Sequence, residues 1–174
     1  MKKTIVTIVV IFSSYFIIAQ EYRTVTDIDG NVYQTVQIGD QLWMAENLKV
    51  THYQNGDEIP CNVYNDDLSN SAIYGRLYTW YAVEDERGIC PEGWHVPSDD
   101  EADSEWQILV DYLGGENIAG GKLKECTEDN CPESEYWDSP NTGATNESEF
   151  TGLPAGFRDY NNGNYYNMGS LAYF

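Results

Sequence analysis

The sequence predicts an α+β fold with a twisted antiparallel sheet, one main helix at about residues 99–113, and long loops. Two patterns carry this prediction. Runs rich in β-branched residues near the N-terminus surround tight-turn signals, whereas residues 99–113 repeat their apolar positions with helical spacing. The rest of the chain is rich in turn residues. A chain of 174 residues fits a single domain and is long enough to bury a core.

The first part of the predicted sheet lies in residues 24–38, which read TVTDIDGNVYQTVQI. Asp29-Gly30 separates two β-rich runs, and this dipeptide favours a type I′ hairpin turn, in which both central residues need positive φ. Alternation then places three apolar side chains on one face: Val32, Val36 and Ile38. Gln34 interrupts that face, which indicates a strand near a sheet edge. After a second tight turn, residues 41–44 are predicted to return as a third strand.

The main helix is predicted from a capping box, in which Ser98 is followed three residues later by Glu101. The apolar positions then recur at helical spacing: Ala102, Trp106, Leu109, Val110 and Leu113. Gly114-Gly115 ends the pattern. We expect the last four apolar residues to be buried, and three acids to be exposed: Asp100, Glu101 and Asp103.

Residues 74–83, which read YGRLYTWYAV, are dense in aromatic side chains. Their spacing suits a strand or a helix equally, and we favour the helix because it places Leu77, Trp80 and Tyr81 on one face. We expect that face to belong to the core rather than to a surface for ligands. The preceding residues 45–75 are expected to form an irregular loop.

The N-terminal residues 1–19 have the pattern of a secretory signal peptide. Lys2 and Lys3 form its positive part, an apolar run follows at positions 4–18, and Ala19 offers a small residue for cleavage. A retained anchor is the alternative, but the run is short for a membrane span. We therefore expect an exported protein, secreted or at the cell surface, with no stable membrane span after cleavage.

The charge of the chain is strongly one-sided, with 29 acidic residues, 9 basic residues and a formal net charge of −20. Nucleic-acid binding is therefore not expected, because phosphate recognition needs clustered Lys and Arg. Anionic membrane surfaces are disfavoured for the same reason. The expected partners are neutral or cationic, such as a glycan or another polymer of the cell surface.

Export changes what the four cysteines indicate, because an even number in an oxidising compartment predicts disulfides. Cys126 and Cys131 enclose a short polar turn and are natural partners. That leaves Cys61 with Cys90, closing a loop of about 30 residues. Three pairings are formally open, and we favour this one. Zinc is disfavoured because the spacings are not C-x-x-C and the two histidines stand in no ligand pattern.

Several segments together resemble one known family. They are residues 24–60, 74–83, 90–101, 119–125 and 139–160, and include CPEGWHVPSDDE and SPNTGATNESEFTGLPAGFRDY. This pattern is similar to the Fibrobacter succinogenes major paralogous domain (FISUMP), and the likeness runs from about residue 24 to the end of the chain. The resemblance implies an exported bacterial protein with a C-type-lectin-like fold over residues 20–174. It implies no catalytic residues and no cofactor.

The chain departs from that family pattern at two places. Residues 102–105 form an insertion before Trp106, and since four residues are close to one helical turn, we expect the helix to absorb them. A W-S-S segment and a closing strand that family members carry are absent. The resemblance therefore implies a domain that is truncated at its C-terminus, with the last strands missing and an open sheet edge at the N-terminal hairpin.

The candidate ligand site is the loop around residues 137–147. The residue types of a lectin-type site occur there together: Asp138, Asn141, Asn146 and Glu147. Trp137 offers a ring that could cover the apolar side of a sugar, and a second loop at residues 159–167 has similar composition. The alternative is that these residues only form turns. No metal site is expected from the cysteines and histidines.

The most favoured function is a non-catalytic binding or adhesion module for polar ligands such as glycans. Ser98 is explained as a helix cap and His95 as a core residue, so no pair of nucleophile and base stands out. A structural domain or gene fragment without independent function is the alternative. A protein resembling formylglycine-generating enzymes is less favoured, because their copper-binding cysteine pair has no counterpart here.

Overall fold

The computed structural model describes residues 23–99, 103–126, 131 and 134–173. Within these residues the architecture is mixed α/β, with small antiparallel sheets and short helices. The strands are β1 (Arg23–Thr26), β2 (Val32–Ile38), β3 (Gln41–Met44), β4 (Cys61–Asn62), β5 (Leu77–Tyr78), β6 (Phe157–Arg158) and β7 (Tyr165–Tyr166). The helices are α1 (Ser69–Tyr74), α2 (Trp80–Val83), α3 (Glu105–Tyr112) and α4 (Glu116–Leu123), with a 3-10 turn at Tyr64–Asp66. None of these helices is long and apolar enough to cross a bilayer.

The N-terminal sheet has the order β1-β2-β3, and both pairings are antiparallel. The predicted hairpin and the third strand are therefore confirmed. The predicted turn type is wrong, because the loop spans residues 27–31 and Gly30 alone has positive φ, whereas Asp29 does not. The reason is a side-chain bond: the Asp27 carboxylate accepts from the main-chain N–H of Asn31 at 2.9 Å and from its amide at 2.8 Å, which holds a longer turn.

Strand β2 buries side chains on both of its faces. Tyr33 and Thr35 are buried on one face, whereas Val36 and Ile38 are buried on the other. Val32, predicted to share the apolar face, is exposed. The prediction of an edge position is also wrong, since β2 is the middle strand.

A buried, hydrogen-bonded tyrosine explains why the first half of β2 is buried on the face opposite to the predicted one. The Tyr33 hydroxyl donates to Asp27 at 2.6 Å and accepts from the main-chain N–H of Lys49 at 3.1 Å. Its ring is completely buried. Burial of this large ring determines which face of the strand's first half points inward. It overrides the alternation of apolar residues that predicted the other face.

The main helix, α3, begins later than predicted. Its N-cap is Ser104, whose hydroxyl accepts from the Gln107 N–H at 3.2 Å. Ser98 is not a cap: its N–H and hydroxyl donate to the Glu105 carboxylate at 2.8 and 2.7 Å. The expectation that the helix absorbs an insertion is thus wrong, because the helix starts only at Glu105. Glu101, the other half of the predicted box, lies outside the described residues.

The inward face of α3 is largely as predicted. Leu109, Val110 and Leu113 are buried, and Trp106 is partly buried against the same cluster. Asp103 is exposed as expected, whereas the predictions for residues 100–102 lie outside the described part of the chain. The helix ends where Gly114 adopts a φ of 106°, which is the predicted stop.

Helix α4 is an element that the sequence did not predict. Its sequence is ENIAGGKL, and turns were expected from Gly120 onward, within its second half. Glycine at position 121 lets the helix pack closely against the Gly143 main chain, because a Cβ at this position would overlap the carbonyl of Gly143. The neighbouring Gly120 meets nothing within 4 Å.

Two apolar clusters form the core of the described residues. The first lies between the N-terminal sheet and the α3–α4 pair: Val36, Ile38, Leu109, Val110, Leu113, Ala119, Leu123 and Phe150. The second lies under the loops that follow β3: Val50, Tyr53, Ile59, Ala82 and Ile89. The first cluster joins elements that are far apart in sequence, so it positions the loops at residues 134–156 against the helices.

The aromatic segment at residues 74–83 forms β5 and then α2 rather than one helix. Trp80 and Tyr81 are 67% and 85% exposed, so the prediction that they are core residues is wrong. A single turn of helix, started by Thr79 whose hydroxyl accepts from Ala82, buries only Ala82. Part of the expected irregular loop at residues 45–75 is also helical, as α1.

The structure contains one of the two predicted disulfides. Cys126 and Cys131 are bonded, as expected. The predicted bond between Cys61 and Cys90 is not formed, and both are free thiols. Both pack against the second apolar cluster, where free cysteine behaves as a small apolar residue. The Cys61 sulfur accepts from Arg76 at 3.8 Å, and burial raises the pKa of Cys90 to about 11.

Candidate functional site

Trp137, the aromatic residue of the first predicted ligand loop, is a buried side chain. Its indole N–H donates to the carbonyl of Gly152 at 3.0 Å, and the Lys124 ammonium lies 4.4 Å from its ring centre. The indole ring is therefore already in contact with groups of the protein itself. In this conformation it does not offer a face on which a sugar can stack.

The other four predicted residues do not converge around Trp137. Asn146 bonds Thr151, accepting its N–H at 2.9 Å and donating to its hydroxyl at 3.1 Å. Glu147 is exposed and pairs with Lys122 at 3.3 Å. These contacts close a surface loop on itself, which matches the turn-forming alternative.

Asp138 and Asn141 differ sharply in exposure. Asp138 is exposed, and its main-chain N–H donates to the carbonyl of Gly169 at 2.7 Å. Asn141 is buried, and its amide nitrogen donates to the carbonyl of Glu125 at 3.4 Å. Its amide oxygen has no hydrogen-bond partner.

The second predicted loop, residues 159–167, forms the hairpin that joins β6 and β7. The turn signal at Asn162-Gly163 is confirmed, with Gly163 at a φ of 73°. The Gly163 N–H donates to the carbonyl of Asp159 at 2.8 Å, and the Asn162 amide donates to the Tyr166 hydroxyl at 3.2 Å. The turn therefore presents amides and a phenol to solvent.

An open cleft of about 560 Å³ lies between this hairpin and the 3-10 turn. Its lining is polar and aromatic: Asn65, Asp66, Gly163, Asn164, Tyr165 and Tyr166. The Tyr165 hydroxyl donates to Asp66 at 2.5 Å, and its ring lies 5.3 Å from the ring of Tyr64 with an interplanar angle of 52°. Two segments 99 residues apart in sequence therefore form one surface.

The electrostatics of this cleft combine one carboxylate with one guanidinium. Arg158 lies 5.6 Å from the Tyr165 ring centre. Burial, together with the hydrogen bond to Asp66, raises the pKa of Tyr165, so the phenol stays neutral at physiological pH. Charges of both signs and neutral donors thus lie within reach of one ligand.

Sequence reasoning missed the 3-10 turn as part of the site. Asn65 and Asp66 adopt φ values of 55° and 57°, a left-handed conformation that Asn and Asp tolerate better than most residues. The available signal was an Asn-Asp pair directly after an aromatic residue. Nothing local indicated that this turn meets the C-terminal hairpin.

Two histidine clusters lie outside the cleft. Asp29 accepts from the main chain and hydroxyl of Thr51 at 2.5 and 2.7 Å, and from His52 at 2.6 Å. Glu105 accepts from Ser98 and lies 2.9 Å from the ring of His95. In the second cluster the Ser98 hydroxyl donates to the Glu105 carboxylate at 2.7 Å. In the first, the Thr51 hydroxyl lies 2.7 Å from an Asp29 oxygen and 3.1 Å from His52 Nδ1, and the same ring nitrogen is held by Asp29 at 2.6 Å.

The hydrogen bonds in these clusters stabilise the charged carboxylates. The main-chain and hydroxyl groups of Ser98, followed by His95, lower the pKa of Glu105 to about 2. Burial raises the pKa of Asp29, but hydrogen bonds from Thr51 and His52 outweigh it and lower the pKa below its usual range. Both clusters therefore act as polar clamps between segments.

Metal sites of the common side-chain type do not occur in the part of the chain that the structure describes. No three or more His, Cys, Asp or Glu side chains converge there as ligands. The Asp27 carboxylate instead accepts hydrogen bonds from the Asn31 amide and the Tyr33 hydroxyl.

Comparison with protein-family models gives one match, to the Fibrobacter succinogenes major domain, over residues 36–174. The chain belongs to this family. The matched range includes β3, both apolar clusters and the cleft, so the site lies within the family domain. Comparison with curated proteins and with solved structures finds no match.

Proposed function

We propose that this family member is an exported, non-catalytic binding domain for neutral polar ligands such as glycans, and that the ligand binds in the cleft between the 3-10 turn and the β6–β7 hairpin. The observation that carries this proposal is the convergence of Tyr64, Asp66 and Tyr165 from two distant segments. The cleft keeps aromatic and polar groups exposed together, whereas the loop at residues 137–147 buries its aromatic ring.

The chemistry of the cleft suits a sugar. Tyrosine rings cover the apolar face of a pyranose, while carboxylate and amide groups bond its hydroxyls. Asp66 accepts, and the amide of Asn164 both accepts and donates. Arg158 adds a charged donor near the same ring. The net charge of −20 repels polyanions and leaves neutral polymers as the better partners.

The finer architecture and the compartment belong to the same proposal. We infer a C-type-lectin-like fold from the resemblance of the family segments, with the small antiparallel sheets and few helices consistent with it. We also infer cleavage of residues 1–19 on export, from the charged start and apolar run. Mass spectrometry should then find that the exported protein begins at Gln20.

A glycan array screened with and without calcium tests the proposed function. Binding to neutral glycans is expected, and Tyr165→Ala should abolish it by removing a cleft wall. Tyr160→Ala is the matched control, because Tyr160 lies on the same hairpin but is 91% exposed. Retention of binding by Tyr165→Ala would contradict the assigned cleft. A blank array would favour a structural domain without a ligand of this class.

A further inference from the structure

Helix α2 presents two aromatic rings that neither the core nor the proposed cleft uses. Trp80 and Tyr81 are largely exposed, whereas Ala82 is buried and Val83 packs against the second apolar cluster. The cleft is lined by other segments of the chain. Exposed aromatic side chains are enriched where proteins meet their partners, so this outward face is a candidate interface.

Helical geometry places a carboxylate beside both rings. Glu84 is exposed and continues the turn, and its main-chain N–H donates to the Trp80 carbonyl at 3.0 Å. Side chains three and four positions apart on a helix are neighbours, so Glu84 lies one turn along from Trp80 and next to Tyr81. The three residues therefore share one outward face, and the buried Ala82 lies on the opposite side of the turn.

This face carries a negative charge that the described residues do not balance. None of the ion pairs among them includes Glu84, and none of their Lys or Arg side chains lies over the ring of Trp80 or Tyr81. The basic residue nearest to Glu84 in the sequence, Arg87, is already paired with two other carboxylates at 3.0 and 2.7 Å.

The same chain shows in two places which group completes such a face. Arg87 lies 4.0 Å from the ring centre of Tyr53 while it pairs with its two carboxylates. Lys49 lies 5.2 Å from the ring centre of Tyr33 and pairs with Glu46 at 3.2 Å. In both places one cation contacts an aromatic ring and a carboxylate together, because the face of the ring and the carboxylate attract the same charge. On α2 the cation has to come from a partner.

We propose that the outward face of α2, formed by Trp80, Tyr81 and Glu84, docks a partner protein through its Lys or Arg side chains. Charge complementarity selects this partner, because the chain has a net charge of −20 and attracts cationic surfaces. At the face itself, an aromatic ring contacts the cation and Glu84 supplies the counter-charge. The docking does not depend on a ligand in the cleft, which no residue of α2 lines.

Isothermal titration calorimetry with two peptides tests this docking. One is a short acetylated and amidated peptide in which lysine alternates with glycine, and the other carries glutamine in place of each lysine. We expect saturable binding of the lysine peptide that weakens as NaCl is added, and no binding of the glutamine peptide. Equal results for the two peptides, whether both bind or neither does, would overturn the proposal.

Variants separate docking on α2 from general attraction to an acidic protein. Trp80→Ala keeps the net charge and should weaken binding of the lysine peptide by about threefold or more. Tyr160→Ala, which removes an exposed ring elsewhere, should leave it unchanged. Glu84→Gln should weaken it more than Glu116→Gln, which removes the same charge at an exposed position of α4. Equal affinities of Trp80→Ala and the parent would assign the binding to the acidic surface as a whole and overturn the proposal.

The glycan array described above supplies the remaining comparison. Both α2 variants change exposed side chains only, so they should fold normally, and circular dichroism checks this. If Trp80→Ala lost a glycan signal that the parent gives but kept the lysine peptide, the face would bind a sugar and the proposal would be wrong.

Discussion

The loops at residues 137–147 and 159–167 both contain aromatic, amide and acidic side chains, yet they occupy opposite environments. In the first loop Trp137 and Asn141 are buried, and they bond the main-chain carbonyls of Gly152 and Glu125. In the second, the polar groups around Tyr165 remain at the surface of an open cleft. The comparison teaches that composition alone does not distinguish a loop that supports the core from a loop that meets a ligand.

The largest expected effect comes from the buried member of the comparison. Trp137→Ala removes a core indole and its hydrogen bond to Gly152, and should lower the free energy of unfolding by about 3–5 kcal/mol. Urea unfolding followed by circular dichroism measures this loss. A change below about 1 kcal/mol would show that Trp137 is a surface group after all, and the contrast between the loops would fail.

A smaller, pH-dependent effect is expected from the clamp at Glu105, which is held by polar bonds alone. Its pKa falls from 4.5 to about 2 in the folded chain, so its contribution to stability is complete above about pH 4.5 and is lost as the pH falls toward 2. Glu105→Gln should therefore be less stable than the parent at pH 6 and nearly equal to it at about pH 2. Acid unfolding curves of both proteins provide the measurement. A stability difference that stays constant over this range would rule out the clamp.

The hydrogen bond between Tyr165 and Asp66 has a modest expected effect. Tyr165→Phe keeps the ring contact with Tyr64 but removes the hydroxyl, and should cost about 0.5–1.5 kcal/mol. Protection of the hairpin amides against hydrogen exchange should fall in the same variant, whereas protection in α3 should not. Equal losses in both regions would mean that the bond supports the whole fold rather than the cleft.

The smallest effect is expected at Tyr160, which is 91% exposed on the same hairpin. Tyr160→Ala should change the unfolding free energy by no more than about 0.5 kcal/mol, because no buried contact is removed. Thermal unfolding is sufficient to check it. A large loss would indicate that the hairpin packs against a surface other than the described cleft.

The features that could be predicted from the sequence are local ones. Asn162-Gly163 marks a turn and Gly114 ends a helix because backbone conformation at these residues depends on the residues themselves. The predicted start of α3 at Ser98 was wrong, because Ser104 caps the helix while Ser98 bonds the Glu105 carboxylate instead. Local pattern therefore limited the helix but did not fix its first residue.

The candidate site depended on contacts that no local pattern contains. Trp137 bonds the carbonyl of Gly152, which is 15 residues away in the sequence, and Tyr165 bonds Asp66, which is 99 residues away. Both loops were candidates from the sequence, because they offer the same types of side chain, so the sequence did not distinguish the second loop from the first. The predicted Cys61–Cys90 bond was wrong for a related reason: loop length permits a disulfide, whereas packing decides where the two sulfurs lie.

The adjacent glycines in α4 have different packing environments. Gly121 lies against the carbonyl of Gly143, so any side chain there would push the helix away from the loop at residues 137–147. Gly120 has open space and an ordinary helical conformation, so Ala should be accepted and should stabilise the helix by about 0.5–1 kcal/mol. In a saturation library selected for folding, position 120 should fill with many residues while position 121 returns only glycine. The helix can therefore diversify on one side of this pair while it keeps its distance from the loop.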